Sequence, residues 1–460
     1  MGRLPSTLRA SAAAWVLLAA TAASASTAAS TDDPVTDLQA AYARALPPGE
    51  RADFYKELFA TVLQRVQRSY ATEVDLHKLA AAARQSIEQP RAGEAEPAEV
   101  FGQAMNAALR TLDNYSRYLD PRARGDDRDS MSGNFGGLGL EVEAGEGAVR
   151  VVAPVPDGPA WKAGVQSGDL IVRVDDQPLA GVPLADAIAR MRGHPGTPVT
   201  LTLRRGARSQ EFTVALTRDI IRRQVLRWNM EGDVLVLRLG VFSGAVSAAL
   251  QRAIEEATAT QAPRAVVLDL RGNPGGLLRE AVLTADTFLS QGAIVSLHGR
   301  TPSNQRSWQA DAAELLPGVP MVVLIDRRSA SASELVAAAL QENGRAVVMG
   351  QRSFGKGTVQ TTFSLGEETK GALKLTTSYY HAPSGRAVQT TGVTPDVELL
   401  APTAAAVAAA ASEQAPRARV EQARCGATIK APDPALACAV AYLEAGSIDR
   451  FVSLLGAPAP

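Results

Sequence analysis

Along the chain the spacing of apolar residues changes character several times, and each change predicts a different architecture. Over residues 36–119 apolar side chains return about every four positions: Phe54, Leu58, Val62, Val66 and Tyr70, then Phe101, Met105, Leu109 and Leu112. That period stacks them on one face of a helix, so a helical region is expected, interrupted by a polar loop at 89–97. Residues 120–134 are charged and turn-rich and read as a hinge. From Phe135 to about Arg218 the pattern shortens to alternating runs punctuated by glycine: 138–142, 149–152, 169–174, then 199–204 and 211–216 across Arg205-Gly206, with a helix at 183–192. Alternation at period two predicts strands, and the last pair a hairpin. Between 219 and 400 continuous apolar runs (234–239, 265–270, 321–326) are each followed by helical stretches near 245–260, 276–290 and 332–342. Strands without a polar face, joined by helices, predict a largely parallel sheet covered on both sides. Residues 401–424 are alanine-rich and read as a mobile tether, with a short helix near 434–445 beyond it. The expected fold class is therefore α+β and multidomain, divided as 26–134, 135–217, 218–400 and 401–460.

Composition narrows this picture. The 460 residues carry 47 basic and 48 acidic side chains, a net charge of −1, with 46% hydrophobic and 21% charged residues. This is globular composition and excludes a disordered or collagen-like chain. A near-neutral balance argues against a broad nucleic-acid footprint. Two cysteines and four scattered histidines leave no structural zinc site, so neither metal nor cofactor is expected. At the start of the chain Arg3 and Arg9 precede an apolar run over 10–20, and Ala23-Ser24-Ala25 follows it. Basic end, short apolar core and small residues at the cleavage position read as a secretory signal over 1–25. A periplasmic location is expected, with membrane anchoring by an uncleaved signal as the alternative. No stable membrane span is expected once the signal is removed. In an oxidising compartment Cys425 and Cys438, 13 positions apart and the only cysteines, are candidates for a local disulfide, two free structural thiols being the alternative.

Four segments carry candidate chemistry: Leu270-Arg271-Gly272-Asn273-Pro274-Gly275-Gly276, Ser329-Ala330-Ser331-Ala332-Ser333-Glu334-Leu335, Ser353-Phe354-Gly355-Lys356-Gly357-Thr358-Val359-Gln360, and Tyr379-Tyr380-His381-Ala382-Pro383-Ser384-Gly385-Arg386. A serine hydroxyl needs a base to remove its proton, and that base is a histidine or a lysine whose pKa burial has lowered. A serine at a strand-to-helix turn also sits beside free N–H groups of the helix N-terminus. Ala332 N–H is then one candidate oxyanion donor, and Gly275-Gly276 a second source, since a loop without side chains lets its N–H groups approach a substrate.

Together and in this order, from about Thr111 to Glu398, these motifs resemble the C-terminal processing peptidases (tail-specific proteases, peptidase family S41). The resemblance implies a crotonase-like α/β serine protease core. It places the nucleophile on the middle serine, Ser331, the base on Lys356 and a lysine-orienting glutamine at Gln360. If 356–360 is extended, Lys356 and Gln360 share a face but stand about 13 Å apart. The sequence departs from the family at Arg328, where a glycine is common, at Gly272, where asparagine is, and at His381-Ala382, which lengthens the fourth motif by one residue. His77, His194, His298 and His381 lie outside any matching motif; His298 and His381, within the core, are the pair left as an alternative base.

The glycine-punctuated unit, with Gly136-Gly137-Leu138-Gly139-Leu140, Gly158-Pro159-Ala160-Trp161-Lys162-Ala163-Gly164 and Gly168-Asp169-Leu170-Ile171, resembles a PDZ domain. Such domains hold an extended peptide as an added strand and its terminal carboxylate in a nest of N–H groups, here at Leu138, Gly139 and Leu140. The implied partners are proteins or peptides with accessible C-termini. The helical region and tail are the surfaces for a second copy or an adaptor, as is common in the family. The competing functions are a silent tail-binding scaffold, and another acyl hydrolase, disfavoured because no Gly-x-Ser-x-Gly elbow surrounds Ser331. The fold's likeness to acyl-CoA enzymes does not carry their chemistry with it.

Overall fold

The computed structural model describes residues 33–90, 96–132, 134–145, 147–155, 157–206, 210–222, 225–311, 314–369, 371–400, 415–425 and 433–456. Residues 1–25, read from the sequence as an export signal, and most of the alanine-rich stretch, 401–414, lie outside the described residues.

Four helices, Pro34–Ala45, Glu50–Ser69, Leu76–Glu88 and Pro97–Arg110, form the N-terminal region. Asp33 and Asp75 cap the first and third with their carboxylates, and Pro34 and Pro97 occupy first-turn positions where the missing N–H costs nothing. Their apolar faces meet around Tyr42, Phe59 and Phe101, whose rings pack edge-on or tilted. Leu373 and Leu375 of the strand Ala372–His381 complete this core, so the helices share it with the unit at 218–400.

Helical periodicity stops sooner than expected: Arg117–Leu119 is a strand, paired antiparallel with 372–374. The expected hinge at 120–134 is also different, because Pro121–Ser132 is a helix. It has no apolar face for a periodicity argument to find. Part of its docking is ionic: Asp127 accepts from Arg117 (3.0 Å) and from Lys374.

Residues 134–137 and 219–222 pair as a two-stranded ribbon that leads into and out of the glycine-punctuated unit. That unit is a six-stranded antiparallel sheet with its own core, containing Val149, Ile171, Leu201 and Leu203, and closed by the helix Leu184–Met191. At the ribbon only glycine fits at 136, since a Cβ there would lie 2.1 Å from the Gly193 carbonyl oxygen. Arg218, at the exit, donates to the carbonyls of Arg190 and Met191 at the C-terminal end of that helix, and to Thr197 Oγ1 and the Pro198 carbonyl.

The main sheet has seven strands in the spatial order Leu226–Glu231, Val234–Leu239, Ala265–Asp269, Met321–Ile325, Val347–Gly350, Val397–Leu400 and Ala418–Glu421. All neighbours are parallel except the first pair. Alternate residues face opposite layers. Leu235, Leu237, Val266 and Leu268 pack under helices Val246–Thr260, Leu278–Thr287 and Ala332–Glu342, whereas Val234, Val236, Ala265 and Val267 pack under Pro434–Ala445 and Ile448–Leu454. Covering on both faces explains why these strands read as unbroken apolar runs. The tether reading therefore fails from residue 418 onward, where the chain adds the last strand and the second helical layer. Four residues are too few for an alternation pattern to stand out in the sequence. Cys425 and Cys438 are bonded inside this layer.

Candidate active site and family

The strand Met321–Ile325 ends in a turn that delivers Ser331 to the start of the helix Ala332–Glu342. Ser331 has φ 56° and ψ −114°, a region a non-glycine residue enters only when its surroundings impose it. The neighbouring serines are fully buried and committed. Ser329 Oγ donates to the Leu270 carbonyl (2.8 Å) and Ser333 Oγ to that of Asn273 (2.9 Å). Ser331 is half-buried, and of the three it is the one reachable from solvent.

The loop bearing Lys356 meets this helix on one carboxylate. Glu334, with no exposed surface, accepts from Ser331 N–H (2.6 Å) and Lys356 N–H (2.9 Å) through Oε2, and from Gly355 N–H and Ser353 Oγ (2.6 Å each) through Oε1. Tyr380 OH lies between the Ser331 carbonyl (3.0 Å) and Glu334 Oε2 (3.4 Å). The backbones of residues 331 and 356 are thus bound to a single oxygen. A search for nucleophile and base alone passes over Glu334, but Ser331-Ala-Ser-Glu334 is the S-x-x-E pattern of a capping box, a sequence signal for it.

Burial pushes the Lys356 ammonium below its ordinary value; the cations Lys374 and Arg117 add to this, and the carboxylates Glu334 and Asp113 oppose it. Its Nζ stands 4.8 Å from the centre of the Tyr115 ring, and among the described residues it donates no hydrogen bond. Tyr115 comes from the loop after the fourth N-terminal helix. Asp113 shapes that loop by accepting from the N–H groups of Tyr115 and Ser116 (2.6 Å each), from Ser116 Oγ and from Tyr70 OH (2.9 Å each). Gln360 lies on the strand Thr358–Ser364 with Nε2 donating to Thr376 Oγ1 (3.2 Å); among the described residues it is not bonded to Lys356. The ladder shifts register between Val359 and Gln360, so simple alternation from 356 to 360 does not hold.

The glycine turn reaches the same place. Gly275 has φ 98°, and a Cβ on it would lie 2.8 Å from Ser331 Cβ and 2.9 Å from Ala332 N. The Gly275 N–H, however, already donates to Asn273 Oδ1 (2.9 Å), which corrects its reading as a free donor. Gly276 differs. Phe242 N–H bonds the Gly275 carbonyl and Leu277 N–H the Phe242 carbonyl, so Gly276 turns its own N–H away from Phe242. Ala332 N–H, at the first helical position, has no carbonyl one turn back within the helix. Arg328 does not crowd the serine: it is largely exposed and paired with Asp326 (3.2 Å). Gly272, with φ 70°, occupies the left-handed position that asparagine and glycine share. His298 and His381 stack on one another at 4.1 Å, and His381 points to the face of its strand opposite Tyr380, hence away from Ser331.

In the glycine-punctuated unit, Leu138 is buried, and its carbonyl and that of Gly139 accept from Ala160 and Val155 N–H (2.9 and 2.8 Å). Among the described residues the N–H groups of Leu138 and Gly139 have no partner. Leu140 opens the strand Leu140–Gly145, which forms an edge of its sheet. Leu140 and Val142 on that edge, and Leu184 and Ile188 on the helix, are half-buried against one core.

Comparison with known proteins agrees with this geometry. Residues 233–399 match the model of peptidase family S41, and residues 150–205 that of a PDZ domain. A carboxy-terminal-processing protease of Bartonella bacilliformis is 40% identical over 77% of this chain and 78% of its own length. A CtpA-like serine protease of Staphylococcus epidermidis is 34% identical over 65% of this chain and 60% of its own. Among solved structures, a photosystem II D1 C-terminal processing protease superposes with a TM-score of 0.50 at 28% identity, covering 75% of this chain and 92% of that one. The buried sheet and the embedded PDZ unit are thus those of a serine protease, and the chain belongs to peptidase family S41, with the carboxy-terminal-processing proteases.

Proposed function

We propose that the protein is an exported endopeptidase that holds the C-terminal tails of polypeptides on its PDZ unit and cuts them through an acyl-enzyme on Ser331, with Lys356 as base. The observation that carries this is the shared Glu334 oxygen. It fixes the main chains of residues 331 and 356 together while burial favours a neutral lysine. Lys356 Nζ takes the Ser331 Oγ proton as that oxygen bonds the scissile carbonyl carbon. The resulting oxyanion accepts from Ala332 and Gly276 N–H. The lysine ammonium then protonates the leaving amine, the C–N bond breaks, and the acyl group remains on Ser331. Water, deprotonated by the same lysine, attacks the ester, and the proton returns to Ser331 as the carboxylate product leaves. Gln360 orients the lysine once Nζ has left the Tyr115 ring.

On the PDZ side, the free edge Leu140–Gly145 takes the tail as an added strand, and the N–H groups at 138–140 take its carboxylate. Tethering raises the effective concentration of the chain at Ser331 without new contacts there. Export to the periplasm rests on the segment 1–25 and on a disulfide that an oxidising compartment would preserve. Among the described residues no helix is long and apolar enough to cross a membrane.

The test is to incubate Ser331→Ala and Lys356→Ala with an unfolded protein ending in apolar residues. Both variants are expected to be inactive while still binding the tail peptide. Cleavage at the parent's rate by either one would remove that residue from the mechanism.

A further inference from the structure

The reading above places an oxyanion donor on the turn 271–276, and what holds that turn extends beyond the family's matched segment. On the serine side the turn is fixed by Ser329 Oγ on the Leu270 carbonyl, by Gly272 N–H on Asp326 Oδ1 (2.9 Å), and by Ala330 N–H and Ser333 Oγ on the Asn273 carbonyl (3.0 and 2.9 Å). On the opposite side it is fixed by Arg271, the first residue of the turn. The Arg271 guanidinium forks between two carboxylates. Nε and Nη2 donate to Asp269 (2.8 and 2.6 Å), at the end of the strand Ala265–Asp269, and Nη1 and Nη2 donate to Asp433, the former at 3.0 Å. All three side chains are buried or half-buried, where planar two-point pairing fixes both distance and orientation.

Asp433 belongs to the C-terminal layer, outside residues 233–399. Its carboxylate has a second task, capping the helix Pro434–Ala445 by accepting from Ala435 and Leu436 N–H (3.0 and 3.3 Å). The helix it caps carries Cys438, bonded to Cys425, and packs on the main sheet beside the strands that end at Asp269 and Ile325. Asp433 is therefore set on a rigid, cross-linked element and aimed at the first residue of the oxyanion turn.

We infer that Asp433 is a positioning residue for catalysis: through Arg271 the disulfide-closed C-terminal layer holds the turn that presents Gly276 N–H. The inference rests on the oxyanion reading of that turn. It makes the tail part of the catalytic apparatus, although it touches neither substrate nor reacting atoms.

Asp433→Ser and Asp433→Asn separate the two tasks, because serine and asparagine cap helices as well as aspartate does but carry no charge for Arg271. In the full chain, kcat on a short internally quenched peptide is expected to fall about ten-fold, a fraction of the 10²–10³ lost when an oxyanion donor is removed outright. KM should be unchanged. Affinity for a peptide boronic acid, whose tetrahedral adduct on Ser331 occupies the same donors, should fall by the same factor as kcat. The thermal midpoint should stay near the parent's. The inference is overturned if both variants bind the boronic acid and turn over as the parent does. It is equally overturned if their loss of activity follows a lowered midpoint while boronic-acid affinity at low temperature is unchanged. Should serine disrupt the cap, the asparagine variant decides by the same readouts. A parent enzyme that fails to bind the boronic acid would instead sink the Ser331 oxyanion reading, a separable result.

Discussion

Glu334 collects five donors on two oxygens, and three of them are main-chain N–H groups that have no other place to go. Glutamine at this position keeps the shape but offers one acceptor oxygen and turns an NH2 toward donors. Each buried donor left unmet costs about 1–3 kcal/mol. Glu334→Gln is therefore expected to lower the melting temperature and to reduce kcat by at least about 10²-fold, the scale of losing one preorganised catalytic contact; calorimetry and steady-state kinetics check both. Lys356 carries a second prediction. Its ordinary value is 10.5, and burial, with Lys374 and Arg117, lowers it in the folded chain. The proposed mechanism requires Lys356 to be neutral, so kcat/KM should rise with pH through that lowered value and level off before 10.5. Stability follows the same sign: below the folded pKa the lysine is charged in both states and the full cost of burying it is present. As pH rises through the folded value the native chain releases its proton first, and stability increases until the unfolded lysine titrates. Lys356→Met should thus be inactive, yet melt no lower than the parent at neutral pH, with its advantage shrinking as pH rises. A variant that loses stability at neutral pH would show that the ammonium is paired rather than merely buried.

Which elements were legible in the sequence follows from how each is held. Strands buried on both faces and helices with one apolar stripe announce themselves, so the runs at 234–239, 265–270 and 321–326 and the helix at 332–342 lie where periodicity puts them. The helix Pro121–Ser132 does not, because it is polar all round and its described side-chain contacts include the ion pair of Asp127 with Lys374, remote in sequence. The strand Ala418–Glu421 was hidden for another reason: it is four residues long and follows an alanine-rich stretch, and pairing with Val397–Leu400 makes it a strand. The same division runs through the site. Ser331, Lys356 and Gly276 stand in motifs that sequence can carry. Glu334 is legible too, through the capping-box pattern it closes with Ser331. Tyr115 and Asp433 make contacts that only packing brings about, and Tyr115 reaches Lys356 from a loop of the helical region that has no motif of its own.

At the scale of the whole molecule the units differ in how separable they are, and burial says which can be removed. The PDZ unit has a closed core of its own, and the chain enters and leaves it through a ribbon in which Gly137 lies opposite Asp219. Replacing 138–218 by Asn-Gly would join those strands in a two-residue hairpin. This excised chain is expected to stay folded and to cut short peptides, while losing its preference for long substrates with free tails. The C-terminal layer is not separable in this way. Ending the chain at Leu400 would uncover Val234, Val236, Val267, Val322, Leu324, Met349, Val397 and Leu399, all now packed beneath it. Full burial of such a side chain contributes about 1.5–3 kcal/mol, so their sum rivals the roughly 5–15 kcal/mol by which a folded domain is stable. The truncated chain should therefore be insoluble or lack a cooperative melting transition, whereas the excised chain should keep one. If the excised chain unfolds, the ribbon is part of the core. If the chain ending at Leu400 melts at the parent's temperature, the second helical layer is a covering without structural weight, and Asp433 could not hold the oxyanion turn.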